Sequence, residues 1–240
     1  MDQRDRAGSR DQRSWGAWQW PPSSLLGSLT ETSRDRLLGP GTTRQYPPGK
    51  VLIREGDSTT FVVVLLDGVV KTTGLTSEGK EALLAIRVGG DLVGEFAALD
   101  EGPRSSTVTT CGTVVGRVIR QPDFLAALLR DSVLAEAVNR SIVAKVRSAN
   151  ARRVDFTGYD APTRLARVLR ELAVRYGERS GNRVVIAWPL TQPELASLAA
   201  VAEPTAQKAL RRLREGDVIV TGYRSLTIVD FAELSRIAGI

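Results

Sequence analysis

Between residues 44 and 120, apolar residues come in short runs that are separated by glycine-containing turns. The runs are rich in valine, isoleucine and threonine, and turn sequences such as Asp67-Gly68 lie between them. Short β-rich segments at this spacing predict an antiparallel sandwich or roll. The predicted strands are 50–53, 61–66, 69–73, 82–88, 107–111 and 114–119.

A helical pattern follows from residue 123 to about residue 156. Four apolar residues recur there at spacings of four, four and three, which places them in one narrow stripe on a long helix. These residues are Val138, Ile142, Val146 and Ala149. A narrow stripe is typical of a seam between two helices, so we expect these residues to form a dimer interface. The alternative is that the stripe packs on the chain's own β-rich region.

The last third of the chain has the pattern of two short helices and a hairpin. Thr191 and Glu194 form a capping box that opens the first helix, and Pro204 is tolerated in the first turn of the second, which Gly216 ends. Strands 218–221 and 226–229 can pair across the intervening turn. Helix, turn, helix and β-wing predict a winged helix-turn-helix; a small three-helix protein-interaction domain is the alternative.

These patterns together predict an α+β fold with four parts. Residues 1–24 form a polar, tryptophan-containing arm that is disordered or loosely docked. One or two short helices at 25–38 precede the β-roll, and together they make up residues 25–122. The long dimerisation helix spans 123–158. Residues 159–240 form the C-terminal domain, which begins with a helix that Asp160 caps.

Composition excludes several classes of site. The 240 residues include no histidine and one cysteine, Cys111, so a Ser-His-Asp triad, a Cys-His dyad, a four-thiolate cluster and the usual zinc sites are all excluded. No apolar run approaches the roughly 18–20 residues that span a bilayer, and the first residues do not resemble a secretory signal. We therefore expect a cytoplasmic protein that has no membrane partner, no metal and no enzymatic activity.

The charge distribution indicates an anionic partner for the C-terminal domain. The net charge is +6, and residues 161–240 carry twelve positive and eight negative side chains, so +4 of the total lies in the last third. A basic C-terminal domain favours nucleic acid as the partner. A solvated basic helix face is the alternative.

Residues 89–110 read GGDLVGEFAALDEGPRSSTVTT and contain the candidate ligand site. A cyclic phosphodiester requires a fixed cation and neutral donors, which Arg104, Ser105 and the local backbone N–H groups can supply. A ribose hydroxyl donates to a carboxylate such as Glu95. The predicted site residues are Gly94, Glu95, Phe96, Arg104, Ser105 and Ser106. In the alternative interpretation, Glu95 and Arg104 only pair with each other.

This segment, together with Tyr46-Pro47-Pro48-Gly49 and Glu55-Gly56-Asp57 upstream, resembles the phosphate-binding cassette and β-roll of cyclic-nucleotide-binding domains. The resemblance implies a bound cyclic nucleotide and no other cofactor. That family also takes adenine contacts from the long helix, partly from the partner subunit, and the matching positions are Ala149 and Asn150. Relatives often carry paired hydroxyl residues there, which Ala149 does not supply. The expected ligand is cAMP, with cGMP left open.

Roll, long helix and wing occur in the order of the Crp–Fnr transcription regulators, and the chain resembles that family over roughly residues 25–235. The resemblance implies a homodimer that binds an inverted repeat in double-stranded DNA under cyclic-nucleotide control, with RNA polymerase as a candidate partner. The residues expected to contact DNA are Thr191, Gln192, Glu203, Thr205, Gln207, Lys208, Arg211, Arg212, Tyr223 and Arg224.

The recognition region departs from the family pattern at several positions. Ala200 stands where relatives have glycine, and Ala202-Glu203-Pro204-Thr205 replaces a Ser-Arg-Glu-Thr quartet. Only Lys208 keeps a basic residue at a base-reading position, so we expect a half-site that differs from the usual one. Two further functions remain open. One is the same fold binding DNA independently of cyclic nucleotide, and the other is a nucleotide-binding signalling protein that no longer reads DNA.

Overall fold

The structure is a computed structural model that describes residues 18–186, 191–222 and 225–240. Tyr223 and Arg224, which were expected to contact DNA, lie outside the described residues, as does most of the predicted N-terminal arm. No helix in the described ranges is long and apolar enough to cross a membrane.

Eight antiparallel strands form a roll of two four-stranded sheets, with strand orders β1-β8-β3-β6 and β2-β7-β4-β5. Their bounds are β1 Thr42–Tyr46, β2 Val51–Ile53, β3 Val62–Asp67, β4 Val69–Leu75, β5 Glu81–Val88, β6 Leu92–Val93, β7 Thr107–Thr110 and β8 Val114–Ile119. All six predicted strands are present. The prediction missed β1, which is polar and mostly exposed, and β6, which is only two residues long.

Strand β3 is buried on both faces, and this explains its uninterrupted apolar sequence. Because side chains alternate along a strand, Val63 and Leu65 point into the space between the two sheets. Val62, Val64 and Leu66 pack instead against a layer of helices. That layer contains α1 Leu25–Ser28, α2 Glu31–Leu38, α4 Gln121–Arg130 and part of α5 Ser132–Gly158; the short α3 Glu95–Asp100 lies within the roll.

The described part of the N-terminal arm is docked on the roll. Trp18 and Trp20 pack against the helical layer, and the indole Nε1 of Trp20 donates to the backbone carbonyl of Leu66 at 2.9 Å. Ser24 caps α1, and Ser23 Oγ donates to the carbonyl of Arg175 at 2.7 Å. For residues 18–24 the docked alternative of the prediction therefore holds and the disordered one does not, because the tryptophans bury apolar surface and the indole gains a backbone acceptor.

The helical stretch predicted from residue 123 is two helices rather than one. Asp131 has an extended backbone (φ −140°, ψ 99°) and separates α4 from α5. Its carboxylate accepts hydrogen bonds from the backbone N–H of Leu134 at 3.1 Å, from Ser33 Oγ at 2.9 Å and from Arg36 at 3.0 Å. Asp131 thus caps α5 and ties the start of the long helix to α2.

The predicted dimer stripe on α5 is divided between the chain's own core and its surface, because Val146 is 49% exposed and Ala149 is exposed. Val138 is fully buried in the helical layer, and Ile142 packs against the same layer. These two residues therefore belong to the subunit's own core, as the alternative interpretation stated. Further exposed apolar residues of α5 include Val143 and Val154, which are 51% and 64% exposed.

The C-terminal domain is the predicted winged helix-turn-helix, built on a four-stranded sheet. Its helices are α6 Ala161–Tyr176, α7 Gln192–Leu198, α8 Glu203–Glu215 and α9 Phe231–Ile237, and its strands are β9 Glu178–Ser180, β10 Arg183–Ile186, β11 Ile219–Gly222 and β12 Ser225–Ile228. Asp160 caps α6 as predicted, accepting from Thr163 N at 3.0 Å. Strands β9 and β10 were not predicted; β10 pairs with β12 and β9 pairs with β10, which gives the order β11-β12-β10-β9.

The C-terminal domain packs directly on edge strand β5 of the roll. Leu83 and Ile86 of β5 share one hydrophobic core with Leu198 of α7 and with the buried face of α6. At the strand edge, the backbone N–H of Leu83 donates to Ser197 Oγ at 2.8 Å. The roll and the helix-turn-helix are therefore in contact through β5 and the neighbouring β4, and α7 satisfies a backbone donor that an edge strand would otherwise expose.

The contacts of Asp131 lead to a stability prediction. They lower the pKa of Asp131, chiefly through the backbone N–H of Leu134 and further through Ser33 and Arg36. A depressed folded-state pKa stabilises the protein above the unfolded pKa of about 4, and this contribution is lost as the pH falls through the folded value. Asp131→Ala should therefore lower the melting temperature by several degrees at pH 7, and the difference from wild type should shrink below pH 4.

Thermal unfolding followed by circular dichroism between pH 3 and pH 7 measures this difference. Asp35→Ala, which removes an exposed carboxylate from α2, serves as the control and should change little. A difference between Asp131→Ala and wild type that stays constant over the whole range would contradict the role given to the ionised carboxylate.

Candidate ligand cavity and DNA-binding surface

A cavity of about 300 Å³ lies between strands β4 and β5, helix α3, the segment before β7 and the middle of α5. The structure brings the predicted cassette residues together around it. Those that line the cavity are Gly94, Glu95, Phe96, Arg104, Ser105 and Ser106. Residues that are close together in the sequence form one part of the cavity wall. Helix α5, about fifty residues further along the chain, forms another part.

Arg104 is held rigidly in the wall of this cavity by uncharged acceptors. Its residue exposure is 3%. Its guanidinium donates to Thr59 Oγ1 at 3.0 Å, to the carbonyl of Gly94 at 2.8 Å and to the carbonyl of Phe61 at 2.6 Å. The Phe61 ring also lies 4.8 Å from the guanidinium carbon. These three bonds leave two of the five guanidinium N–H groups for a ligand.

The charge of Arg104 is not neutralised within the described part of the chain. No carboxylate there forms an ion pair with it, and the alternative interpretation, in which Glu95 and Arg104 pair, is wrong. Burial lowers the pKa of Arg104, and the more distant charges of Asp57 and Glu95 oppose that effect. A guanidinium remains protonated under such conditions, so the cavity presents a buried cation that an anion can pair with.

Glu95 pairs instead with Lys145 of α5. Lys145 Nζ lies 2.7 Å from Glu95 Oε1 and donates to the carbonyl of Leu92 at 2.7 Å. Both side chains are almost fully buried, and burial lowers the pKa of Lys145 while the charge of Glu95 opposes the shift. Sequence reasoning missed Lys145. Its spacing of three residues from Ile142 and seven from Val138, which places it on the face of the apolar stripe, was the available signal.

Gly94 allows the cassette to approach Arg104 closely. Its φ is +86°, and a Cβ at this position would lie 2.8 Å from the Arg104 guanidinium nitrogen. Both the backbone conformation and the contact therefore require glycine. Ser105 is exposed and Ser106 half-buried at the cavity mouth, and Phe96 adds a partly exposed ring.

The residues contributed by α5 differ in part from those predicted. Val146 and Ala149 line the cavity, whereas Asn150 is exposed and lies outside it. Asn150 points away from the cavity of its own subunit because successive helical residues point about 100° apart. The prediction that it contacts the ligand, which included contacts from the partner subunit, stays a prediction. Two arginines that were not predicted, Arg87 and Arg152, line the cavity as well.

The predicted DNA-contacting residues on α7 and α8 lie on one exposed surface. Thr191 caps α7, and the capping box with Glu194 is complete. Glu194 also lies 3.4 Å from Lys71 of the roll. The buried side of α8 is formed by Ala206, Ala209, Leu210 and Leu213. Its opposite side is exposed and carries Glu203, Thr205, Gln207, Lys208, Arg211 and Arg212, while Thr191 and Gln192 are exposed at the start of α7.

The turn between α7 and α8 shows the effect of the departures noted in the sequence. Ala200 adopts φ +51°, a left-handed conformation that favours glycine. Arg164 of α6 donates to the carbonyls of Ala199 at 3.0 Å and Ala200 at 2.9 Å, which holds the turn in place. On α8, Gln207 Nε2 donates to Glu203 Oε1 at 3.1 Å. Lys208, the other base-reading candidate, takes no part in this hydrogen bond.

Comparisons with known proteins match both domains. The family model described as "Cyclic nucleotide-binding domain" matches residues 43–131, and the model described as "Crp-like helix-turn-helix domain" matches residues 163–237. The chain is 31% identical over 192 residues to the "CRP-like cAMP-activated global transcriptional regulator" of Mycobacterium tuberculosis, covering 80% of this chain and 85% of that protein.

Two more distant relatives have the same domain arrangement. The "Cyclic AMP receptor protein" of Thermus thermophilus is 26% identical over 216 residues, which cover 90% of this chain and 97% of that protein. The solved structure of FixK2 from Bradyrhizobium japonicum superposes with a TM-score of 0.71 at 18% identity, covering 82% of this chain and 96% of that chain. The structural likeness confirms the predicted fold.

Proposed function

Since the chain belongs to the Crp–Fnr family of cyclic-nucleotide-binding transcription regulators, we propose that it is a homodimeric regulator whose roll binds a cyclic nucleotide and thereby controls DNA binding. The relatives in these comparisons are transcription regulators rather than enzymes. As a regulator of chromosomal genes, it would act in the cytoplasm.

The observation that carries this proposal is the buried, unneutralised charge of Arg104. An isolated buried cation is costly unless it is paired, and a monoanionic phosphodiester in the cavity would supply the missing charge. Arg104 has two N–H groups left for it, and the hydroxyls of Ser105 and Ser106 stand at the same cavity. Glu95 Oε1 is held by Lys145, which orients the carboxylate so that its second oxygen can accept from a ribose hydroxyl.

The phosphate and ribose end of the cavity suits any 3′,5′-cyclic nucleotide. cAMP, the ligand predicted from the sequence, meets this requirement, and the Mycobacterium tuberculosis relative is named a cAMP-activated regulator. cGMP has the same phosphate and ribose. Discrimination between the two must come from the part of the cavity that receives the base.

Strand β5 provides a route from the cavity to the DNA-binding domain. Leu84, Ala85 and Arg87 line the cavity, whereas Leu83 and Ile86 of the same strand pack against the C-terminal domain. A ligand that shifts β5 would alter the bond between Leu83 N and Ser197 Oγ and the seating of α7. A ligand shifts the population between two positions of α7 only if its contacts differ between those two positions.

The exposed face of α5 supports a two-fold dimer. Val143 and Val154 lie about three helical turns apart on this long helix, and both are exposed. Asn150 is exposed between them, where a symmetry-related α5 would bring it toward the partner's cavity. A homodimer built on α5 would present two copies of α8 to successive half-sites of an inverted repeat.

The ligand-binding role of Arg104 can be tested by titration calorimetry. Arg104→Ala should cost at least about 2 kcal/mol of affinity for cAMP or cGMP, because a charge-assisted pair is lost. Arg44→Ala removes an exposed arginine from β1 and is the matched control. The proposal fails if wild-type protein shows neither heat nor a thermal shift with either nucleotide at millimolar concentration.

The dimer interface can be tested by sedimentation velocity. Val143→Asp and Val154→Asp would each bury a carboxylate against its symmetry mate and should produce monomers. Leu129→Asp places the same charge on α4, where Leu129 is 88% exposed, and should leave the dimer intact. Unchanged dimers of both α5 variants would show that this face is not the interface.

The DNA-reading role of α8 can be tested by selecting sites from a random DNA library. Lys208→Ala should relax the preference at one base pair, at a cost of about 1–3 kcal/mol there, since a lysine can donate to guanine in the major groove. Arg211→Ala should instead weaken binding to all sequences and reduce the salt dependence, because the later turn of the helix reaches phosphates. Identical motifs recovered with wild type and Lys208→Ala would make Lys208 a phosphate contact. If the wild-type protein selects no DNA from the library, the proposed DNA-binding function is refuted.

A further inference from the structure

The cavity lining contains two arginines besides Arg104, and the proposed phosphate and ribose contacts do not involve them. Arg87 lies on β5, directly paired with Val70 of β4, and Arg152 lies on α5 one turn beyond Ala149. Both line the cavity. With the phosphate assigned to Arg104 and the ribose to Glu95, we place the base of a bound cyclic nucleotide beside Arg87 and Arg152.

Both guanidinium groups have hydrogen-bond donors to spare. Arg87 donates to its neighbouring carbonyl, that of Ile86, at 2.8 Å, and Arg152 lies 3.5 Å from Glu171 Oε2. A guanidinium has five N–H groups, so these contacts leave several on each residue. Burial lowers the pKa of Arg152, and the nearby charges of Arg87 and Arg175 lower it further, while Glu171 opposes the shift. Two cations that repel each other across one space favour a ligand that brings acceptor atoms between them.

The rest of this wall offers few side-chain acceptors. Leu84, Ala85, Val146 and Ala149 line it with apolar groups, and Thr72 adds one hydroxyl. Apart from Glu95, the charged side chains of the described residues that line the cavity are donors only: Arg87, Arg104, Lys145 and Arg152. A base with acceptor atoms can accept hydrogen bonds from these arginines. A base with an amino group instead places a donor against the donors of the guanidinium groups.

We infer that Arg87 and Arg152 make the cavity selective for a guanine base over an adenine base, so that cGMP rather than cAMP is the preferred ligand. This inference rests on the proposed function and concerns only which base the site accepts. Guanine presents O6 and N7 as two adjacent acceptors, which a planar guanidinium binds through two parallel N–H groups. Adenine has N7 next to the N6 amino group, so one of the two bonds is replaced by a contact between donors.

Titration calorimetry of the full chain with cGMP, cIMP and cAMP tests the inference. cIMP shares O6 and N7 with cGMP but lacks the 2-amino group, so both should bind more tightly than cAMP, by about 5- to 150-fold. Equal or tighter binding of cAMP would overturn the base preference and leave the proposed function standing. Tight cGMP with weak cIMP would assign the preference to the 2-amino group and would also overturn the role of the arginines. If none of the three binds, the proposed function fails and this inference fails with it.

Two variants assign the preference to the arginines. Arg87→Met keeps an unbranched side chain but removes the donors, and it should weaken cGMP by about tenfold while changing cAMP little. Arg152→Lys keeps a positive charge near Glu171 but loses the planar fork, so it should reduce the ratio of the two affinities in the same direction even if Arg87→Met does not fold.

Arg44→Met removes one positive charge from an exposed position on β1 and serves as the control, with the ratio unchanged. Melting temperatures of all three variants establish that they are folded before the titrations are compared. Ratios of cGMP to cAMP affinity that stay at the wild-type value in both Arg87→Met and Arg152→Lys would overturn the inference.

Discussion

The buried pair of Glu95 and Lys145 joins the roll to the long helix, and the cavity exists because of it. Glu95 begins α3 in the roll, and Lys145 lies in the middle of α5. Two charges removed from water are tolerated only with good geometry and further hydrogen bonds, and Lys145 has a second acceptor in the carbonyl of Leu92. The pair fixes α5 over the cassette, so the helix that closes the cavity also carries the exposed face proposed as the dimer interface.

The cavity and the C-terminal domain lie on the two sides of one strand, β5. Strand β5 is an edge strand, and its side chains alternate between the cavity and the core that α6 and α7 share with the roll. The backbone N–H of Leu83 is satisfied by Ser197 of α7 rather than by another strand. A small displacement of β5 would therefore change the contacts in the cavity and in the shared core, because packed interiors transmit strain.

The helix-turn-helix shows how a departure from a family pattern is accommodated. Ala200 takes a left-handed backbone conformation that costs an alanine of order 1 kcal/mol. The turn still forms because Arg164 binds two successive carbonyls there and because Ala199 and Ala206 are buried on either side of it. The fold of the domain is thus retained, while the side chains offered to DNA by the first turn of α8 have changed.

Local pattern was sufficient for most of the fold and for the cassette. Alternation and turn glycines located six strands of the roll, and capping residues located the starts of α6 and α7. Arg104 could be assigned to the cavity from spacing because the cassette is nearly contiguous in the chain. Strands β1, β9 and β10 escaped prediction, since short or exposed strands carry little hydrophobic alternation.

Tertiary structure decided what α5 does, because a helical period states which residues share a face but not what that face meets. The stripe through Val138 and Ile142 was visible in the sequence, yet only the packed structure shows that it meets the chain's own roll. The same rotation of α5 buries Lys145 against Glu95, turns Arg152 into the cavity and leaves Asn150 outside it. A strand and a helix far apart in sequence bring Arg87 and Arg152 to one cavity, and no local pattern connects these two residues.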